Sequence, residues 1–302
     1  MILAVCPNPA IDVYAHLSTF KPATSNRIQH LTEYPGGKGV HVALALKEMG
    51  MAVELMGFWA GTHGEWVQSA CNKLGVETSG VDLKGNTRKC YTFITEEKSW
   101  DHTELLEPGP RMGRESFEAF KKIFADKIKS VSQVIISGSW PADSPENACQ
   151  ELVRLCNQHH VDVILDCTGV QLKNALQEKV TALHLNESEF QETKMTFPKL
   201  LESVSILALT KGKDGLELLS SDKIVEGKVV LSKVISTVGS GDCLTAGLGY
   251  SLLKNTDMKE HARYAVAFGA ANCLRHELGM LYKKDVDNLL SEIEIKEVNY
   301  AK

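Results

Sequence analysis

From Arg114 onward, strand-like and helix-like stretches alternate with a regular beat, and that rhythm limits the fold more than any other feature of the sequence. A helix-period stretch with Phe117, Phe120, Ile123, Phe124 and Ile128 precedes an apolar run at Val134–Ile136. A second helix pattern at Ala148–Cys156 precedes Val161–Leu165, and further apolar runs follow at Ala182–Leu185 and Ile206–Leu209. Short apolar runs separated by amphipathic helices predict an α/β fold whose mostly parallel sheet is covered on both faces. The N-terminal third fits the same plan. Ile2–Cys6 reads as a buried strand ended by Pro7-Asn8-Pro9, and Val40–Met49 as a helix stopped by Gly50. Ala52–Phe58 reads as a strand and Glu65–Leu74 as a helix. Two stretches, about 13–35 and 88–106, are β-like without helical period and are expected to pair as a small separate sheet. Lys213–Val230 is expected to form a hairpin, and His261–Arg275 is the last strong helix pattern.

Composition narrows the class. A chain of 302 residues can bury one large core, so 1–302 is expected to be a single domain with the two β-rich stretches inserted. A net charge of −5 with no basic tract leaves a nucleic-acid role without a footprint. No segment reads as membrane-spanning, and Pro7 and Pro9 cut off the first apolar run too early for a signal peptide. Eight scattered cysteines without a Cys-x-x-Cys pair read as small buried hydrophobes, and a cytoplasmic location is expected. His159 and His160 lack a second ligand pair at metal spacing and read as surface helix.

Chemistry concentrates in Thr237-Val238-Gly239-Ser240-Gly241-Asp242. This stretch follows a β-like run (Val229, Val230, Leu231, Val234, Ile235) and opens a helix-like one, Cys243–Leu253. Glycines around a small residue let successive N–H groups converge, and a helix start favours an anion there. Asp242 would then be a carboxylate beside an anion hole. A phosphoryl group needs such a hole, and the hydroxyl that attacks it needs a proton acceptor. The plainer alternative is that Asp242 caps the helix.

Ligands of open parallel sheets bind beyond the carboxyl ends of the strands. Asp12, Ser137-Gly138-Ser139, Asp166, Asn186 with Glu189, and Lys211-Gly212 all fall near such ends. Together with the anion turn they outline the rim of a phosphate-handling cleft. Gly36-Gly37-Lys38-Gly39 has neither the spacing nor the hydroxyl of a P-loop, and no Gly-x-Gly-x-x-Gly follows the first strand.

The motifs Asn8-Pro9-Ala10-Ile11-Asp12, Gly36-Gly37-Lys38-Gly39, Thr87-Arg88, Ser137-Gly138-Ser139-Trp140-Pro141, Asn186-x-x-Glu189 and Thr237–Asp242 run in this order across nearly the whole chain. In combination they resemble the ribokinase-like (PfkB) carbohydrate kinases, above all the branch of 1-phosphofructokinase and tagatose-6-phosphate kinase. The resemblance implies a Rossmann-like domain with a small β-sheet lid, placed where 13–35 and 88–106 fall. It implies transfer of the ATP γ-phosphoryl group to a sugar hydroxyl, with Asp242 as the base and Gly239, Ser240 and Gly241 as the anion hole. Asp12 would bind sugar hydroxyls, and the open Gly36-Gly37 turn would let backbone N–H groups approach the sugar. Lys38 and Arg88 would contact a phosphate already on the sugar, with Ser139 adding a hydroxyl. Arg88 suits phosphate because its planar fork can hold it through two hydrogen bonds. Arg27 would close over the site from the lid, of this chain or of a partner subunit.

On the nucleotide side the resemblance implies Thr210, Lys211, Gly212 and Gly215 near ATP and Asn272 beside adenine. Asn186 and Glu189, one helical turn apart, would hold the water shell of Mg2+, with Asp166 in support or merely capping. Three positions depart from the family pattern. His41 stands where an Asn usually touches the sugar, His184 replaces the Lys of Lys-Pro-Asn, and Ser240 replaces an Ala.

The reading that follows is an ATP- and Mg2+-dependent kinase of a phosphorylated ketohexose: fructose 1-phosphate, tagatose 6-phosphate or fructose 6-phosphate. A kinase of an unphosphorylated sugar or nucleoside is the alternative on the same fold, although Lys38 and Arg88 would then lack a partner. A non-catalytic sugar-phosphate sensor is a third reading, lent weight by His41 and His184. A homodimer through the lid sheet is also expected, because a small sheet with one apolar face wants cover.

Overall fold

Strand β1 (Ile2–Cys6) is buried at every residue, and its side chains divide between two cores. Ile2, Ala4 and Cys6 enter one apolar cluster, while Leu3 and Val5 enter the other. That split follows from the period-2 alternation of a strand with both faces covered. The computed structural model describes residues 1–97 and 99–298; Lys98, inside the expected 88–106 stretch, and residues 299–302 lie outside it.

The chain continues through β2 (Ala10–His16), β3 (His30–Gly36), α1 (Lys38–Glu48), β4 (Val53–Ala60), α2 (Gly61–Lys73) and β5 (Glu77–Leu83). Next come β6 (Arg88–Ile94), β7 (Thr103–Leu106), α3 (Arg114–Lys127), β8 (Gln133–Ser137), α4 (Ala148–Gln158) and β9 (Asp162–Asp166). The following third holds α5 (Gly169–Ala175), β10 (Val180–Asn186), α6 (Glu187–Thr196), α7 (Leu200–Ser203) and β11 (Val204–Thr210). It ends with β12 (Leu216–Leu219), β13 (Ile224–Lys228), α8 (Ser240–Leu253), α9 (Met258–Cys273), α10 (Lys283–Leu289) and β14 (Glu294–Val298).

Ten strands form the main sheet in the order β14-β13-β12-β11-β10-β9-β8-β1-β4-β5. The seven from β11 to β5 are parallel, and β12, β13 and β14 add on antiparallel. Helices α1, α8 and α9 pack on one face with Ile135 and Ile164; α3 and α4 cover the other, where Phe58 stacks on Phe120 at 4.3 Å between ring centres. The chain leaves β1 toward β4 on one side and β8 toward β9 on the other, so the strand order reverses between β1 and β8. Crevices form at such reversals, beyond the carboxyl ends of the strands.

A separate four-stranded sheet, β3-β2-β6-β7, packs against α1 and α2. Ile11 and Val13 of β2 turn into the main core, and Asp12 and Tyr14 face the other way. Asp12 therefore sits within a strand of the small sheet, paired with Tyr34 and Cys90, and not simply past the end of β1. Among the described residues no helix is long and apolar enough to cross a membrane.

Two sequence expectations shift. The run Val229–Ile235 is not a strand: Val230 and Val234 are exposed, and the Ile235 N–H donates to the Cys273 carbonyl at the end of α9. Helix α8 also begins three residues earlier than Cys243, which places Asp242 inside its first turn.

Candidate active site

Helix α8 starts at a glycine. Gly239 is its N-cap in the left-handed conformation (φ 85°), and no side chain caps the helix. A helix start leaves its first N–H groups without intrahelical acceptors. The Ser240 N–H donates to the Thr237 carbonyl at 3.1 Å, so this member of the expected anion hole is already engaged. Those of Gly239 and Gly241 have no acceptor among the described residues and remain for an anion.

Asp242 does not cap the helix. Its Oδ2 lies 2.7 Å from His41 Nδ1, across 201 positions of sequence. The same ring brings Nε2 to 3.0 Å from Asp12 Oδ2, close enough for ion pairing although the N–H is angled off that oxygen. Asp12 can face this point because position 36 is glycine: a Cβ there would lie 2.1 Å from the Asp12 carboxyl carbon. Asp242 keeps 10% of its side-chain surface exposed, so the carboxylate is enclosed but still reachable by a small molecule. Burial alone would push His41 down, yet its contacts with Asp12 and Asp242 raise it to about 10.

A second cluster lies beside the first. Lys38 Nζ, at the start of α1, is 2.9 Å from Asp166 Oδ1 at the end of β9. Ser137 Oγ donates to Asp166 Oδ2 at 2.9 Å, and the Gly138 N–H donates to the Asp166 carbonyl at 2.8 Å. Burial would raise the Asp166 carboxyl, but the Lys38 charge and the His184 contact hold it well below the usual carboxylate range. Asp166 in turn raises Lys38. His184, on β10, reaches Thr210 Oγ1 with Nε2 at 3.2 Å and Thr245 Oγ1 with Nδ1 at 3.1 Å. Helices α1 and α8 supply members to both clusters, so the two form one site.

The profile of the pfkB family carbohydrate kinases matches residues 5–283. The chain belongs to this family. It is 29% identical over 307 residues to the 1-phosphofructokinase of Bacillus subtilis (strain 168), covering 98% of this chain and 99% of that one. Among solved structures, a possible 1-phosphofructokinase from Thermotoga maritima superposes with a TM-score of 0.87 at 23% identity, over 99% of this chain and 100% of that one. Phosphofructokinase-2 from Escherichia coli, in complex with fructose-6-phosphate, gives a TM-score of 0.85 at 20% identity, covering 96% and 98%. These two structures show that the fold is shared. This pfkB chain is thus a 1-phosphofructokinase-like kinase, a phosphotransferase acting on an alcohol group, with the ribokinase-like α/β architecture.

The remaining expected residues of the pfkB kinase fall into three groups. Arg88 donates through Nε and Nη2 to the Asn8 carbonyl at 3.3 and 3.1 Å, so its fork is partly engaged by backbone. Asn8 Nδ2 donates to Pro108 O at 3.1 Å and to Ser139 Oγ at 3.4 Å, which brings Ser139 and Arg88 to one corner. Gly37, with φ 94°, is the single residue linking β3 to α1, so the expected open turn is shorter than the motif. Arg27 is exposed in the link between β2 and β3.

Asn186 and Glu189 form a capping box at the start of α6. Asn186 Oδ1 accepts the Glu189 N–H, and Glu189 Oε2 accepts the Asn186 N–H, both at 2.9 Å. That leaves Glu189 one oxygen for another partner, and its charge is felt at Lys38. Among the described residues no three His, Cys, Asp or Glu side chains group as a metal cage.

Lys211, Gly212 and Gly215 make the turn between β11 and β12. The Lys211 N–H donates to the Gly215 carbonyl at 2.9 Å, and Lys211 Nζ pairs with Glu217. Asn272 is buried; its amide donates to the Met280 carbonyl at 2.8 Å, while Oδ1 has no protein partner. It thereby fixes the segment after α9 and does not line an open surface.

Sequence reading missed Thr245 and Tyr14. Thr245 follows Asp242 by three residues on one helix, a spacing that could have flagged it. Tyr14 has no such signal; its hydroxyl lies 2.8 Å from Ser236 Oγ and joins the small sheet to the segment before the anion turn.

Proposed function

We propose that this chain transfers the γ-phosphoryl group of ATP to a hydroxyl of a phosphorylated ketohexose. The observation that supports the reading most is Asp242: a reachable carboxylate in the first turn of α8, beside N–H donors of Gly239 and Gly241 that lack acceptors. In this reading Asp242 takes the proton of the acceptor hydroxyl as that oxygen attacks the γ-phosphorus. The glycine N–H groups hold the charge that develops on the phosphoryl oxygens. Positioning and charge stabilisation supply most of the lowering of the barrier, and the base adds on the order of 10²–10⁴-fold. Asp12 orients the sugar from the small sheet, which closes the site as a lid.

Arg88 favours a substrate that already bears a phosphate, because its guanidinium meets the neutral Asn8 carbonyl and a neutral sugar would bring it no anion. Ser139 lies at the same corner, and Lys38, paired with Asp166, is nearby. The name of the Bacillus subtilis relative points the same way. Thr210 and the Lys211–Gly215 turn serve the nucleotide. The donor set fits Mg2+, which is bound through one or two carboxylates, its own waters and substrate phosphates more often than by a protein cage. Glu189, with one free oxygen, and Asn186 would hold those waters, and the ion would neutralise phosphate charge.

The test is ADP release in a coupled assay with fructose 1-phosphate, tagatose 6-phosphate, fructose 6-phosphate, the free sugars and nucleosides. The expected result is a preference for one ketohexose phosphate over every unphosphorylated acceptor. A preference for a free sugar or nucleoside overturns the phosphate assignment. Binding of a sugar phosphate without ADP release would instead make the chain a sensor.

A further inference from the structure

The imidazole of His41 sits where three elements meet: α1, on which it lies, β2, which brings Asp12, and α8, which brings Asp242. Only 4% of its side chain is exposed. The ring also lies against Gly279, a residue with φ 65°. A Cβ at that position would come within 2.0 Å of His41 Cδ2, and one at Gly239 within 3.5 Å of Nδ1. Backbone without side chains thus makes room for a ring. Among the described residues no other charged group touches it. Farther out, Glu104 of β7 and Tyr14 feel Asp12, and Lys38 feels Asp242. Cys6, whose Cα lies 2.7 Å from a Cβ built on Gly39, is a buried thiol raised to about 11 and therefore neutral.

Proton counting decides the state of this ring. A neutral imidazole has one N–H, so it could donate to one carboxylate and would turn a lone pair on the other. A neutral ring would thus set a lone pair, instead of a positive charge, beside one of two enclosed carboxylates. With both nitrogens protonated, Nδ1 donates to Asp242 and the charge at Nε2 lies 3.0 Å from Asp12, although that N–H is angled off the oxygen. The raised proton affinity of His41 agrees with that count.

We propose that His41 is a positioning residue for phosphoryl transfer: as an imidazolium it pins the carboxylates of Asp12 and Asp242 around one acceptor hydroxyl, engaging one oxygen of Asp242 and leaving the other for the proton. The proposal rests on the kinase reading above. In the step itself the bond from acceptor oxygen to γ-phosphorus forms and the bond from that phosphorus to the bridging oxygen of ADP breaks. The hydroxyl proton ends on Asp242, and His41 keeps both of its own. The ring also places a positive charge 2.7 Å from the base, which an amide at that position would not supply.

Two measurements test this. The first is ¹⁵N NMR of the histidine rings in the intact protein without substrate, with His41 assigned by its loss in His41→Asn. Both ring nitrogens are expected to be protonated at pH 8, with the transition moving down by about a unit or more in Asp12→Asn and in Asp242→Asn. The second is the pH profile of kcat for the preferred sugar phosphate. His41→Asn and His41→Gln are expected to lose about tenfold or more in kcat, and the acid limb is expected to move up by about a unit. A neutral His41 at pH 8, or an acid limb unmoved in folded His41→Asn and His41→Gln, overturns the proposal. If wild-type protein phosphorylates nothing in the panel, the kinase reading falls. The ring titration still decides by itself whether the bridge is an imidazolium.

Discussion

Asp242 occupies the third position of a helix whose cap is a glycine, and its hydrogen bond goes to His41 instead of to the helix end. Its loss should therefore leave the helix intact. Asp242→Asn is expected to bind ATP and sugar phosphate nearly as wild type by calorimetry, while kcat falls on the order of 10²–10⁴-fold. A variant with normal turnover would end the assignment of Asp242 as base. At this scale the sequence named the acids but not their partner. Asp12, Asp166 and Asp242 were singled out from their motifs, and His41 from a departure at a single position. That the ring would lie between two of those acids, 201 positions from one of them, was not legible. Local spacing has no access to a contact that only the packing of α1 against α8 creates. Asn272, expected beside adenine from the resemblance alone, is buried with its amide donating to the Met280 carbonyl, a contact that no local spacing announces.

At the scale of elements, α6 offers a clean separation of structure from chemistry. Its capping box takes Asn186 Oδ1 and one oxygen of Glu189. Asn186→Ala is expected to destabilise the protein by about 1 kcal/mol in a urea titration, the usual cost of a lost cap. Glu189→Gln can keep the reciprocal hydrogen bond through its amide oxygen, so its stability should stay within about 0.5 kcal/mol. Its Mg2+ requirement in the assay should rise; an unchanged requirement would confine Glu189 to the cap. Strands and helices with strong periods were legible from sequence because each is buried on the face its pattern marks, as in α4, where Leu152, Val153 and Cys156 are inside. The run Val229–Ile235 misled because Val230 and Val234 there face solvent, so the β-branched pattern marks no buried strand face. Helix α10, seven residues long, and β14, with its polar edge sequence Glu-Ile-Lys-Glu-Val, carry too little pattern to be seen in advance.

For the whole molecule, the two charge clusters set how stability changes with pH. His41 is raised from 6.5 to about 10, so the folded chain holds a proton there that the unfolded chain releases. Its contribution is full below pH 6.5 and is lost as pH climbs toward 10. Asp166 is depressed from 3.8, so its contribution is present above that value and fades as pH falls below it. The melting temperature should therefore be highest between these limits and decline on both sides. His41→Asn should flatten the alkaline decline while leaving the acid one, and an alkaline limb unchanged in that variant would count against the pairing.

The hydroxyl pair of Tyr14 and Ser236 has a mechanical meaning. Ser236 Oγ also accepts the Val238 N–H, so the small sheet is tethered to the strip of backbone that delivers the phosphate cradle. Besides the packing of Ile11 and Val13 into the main core, the small sheet meets the start of α8 through this tether and the His41 bridge. On the reading proposed above, drawing the small sheet away from α8 would break both contacts at once, so the seat of one substrate would be coupled to the seat of the other.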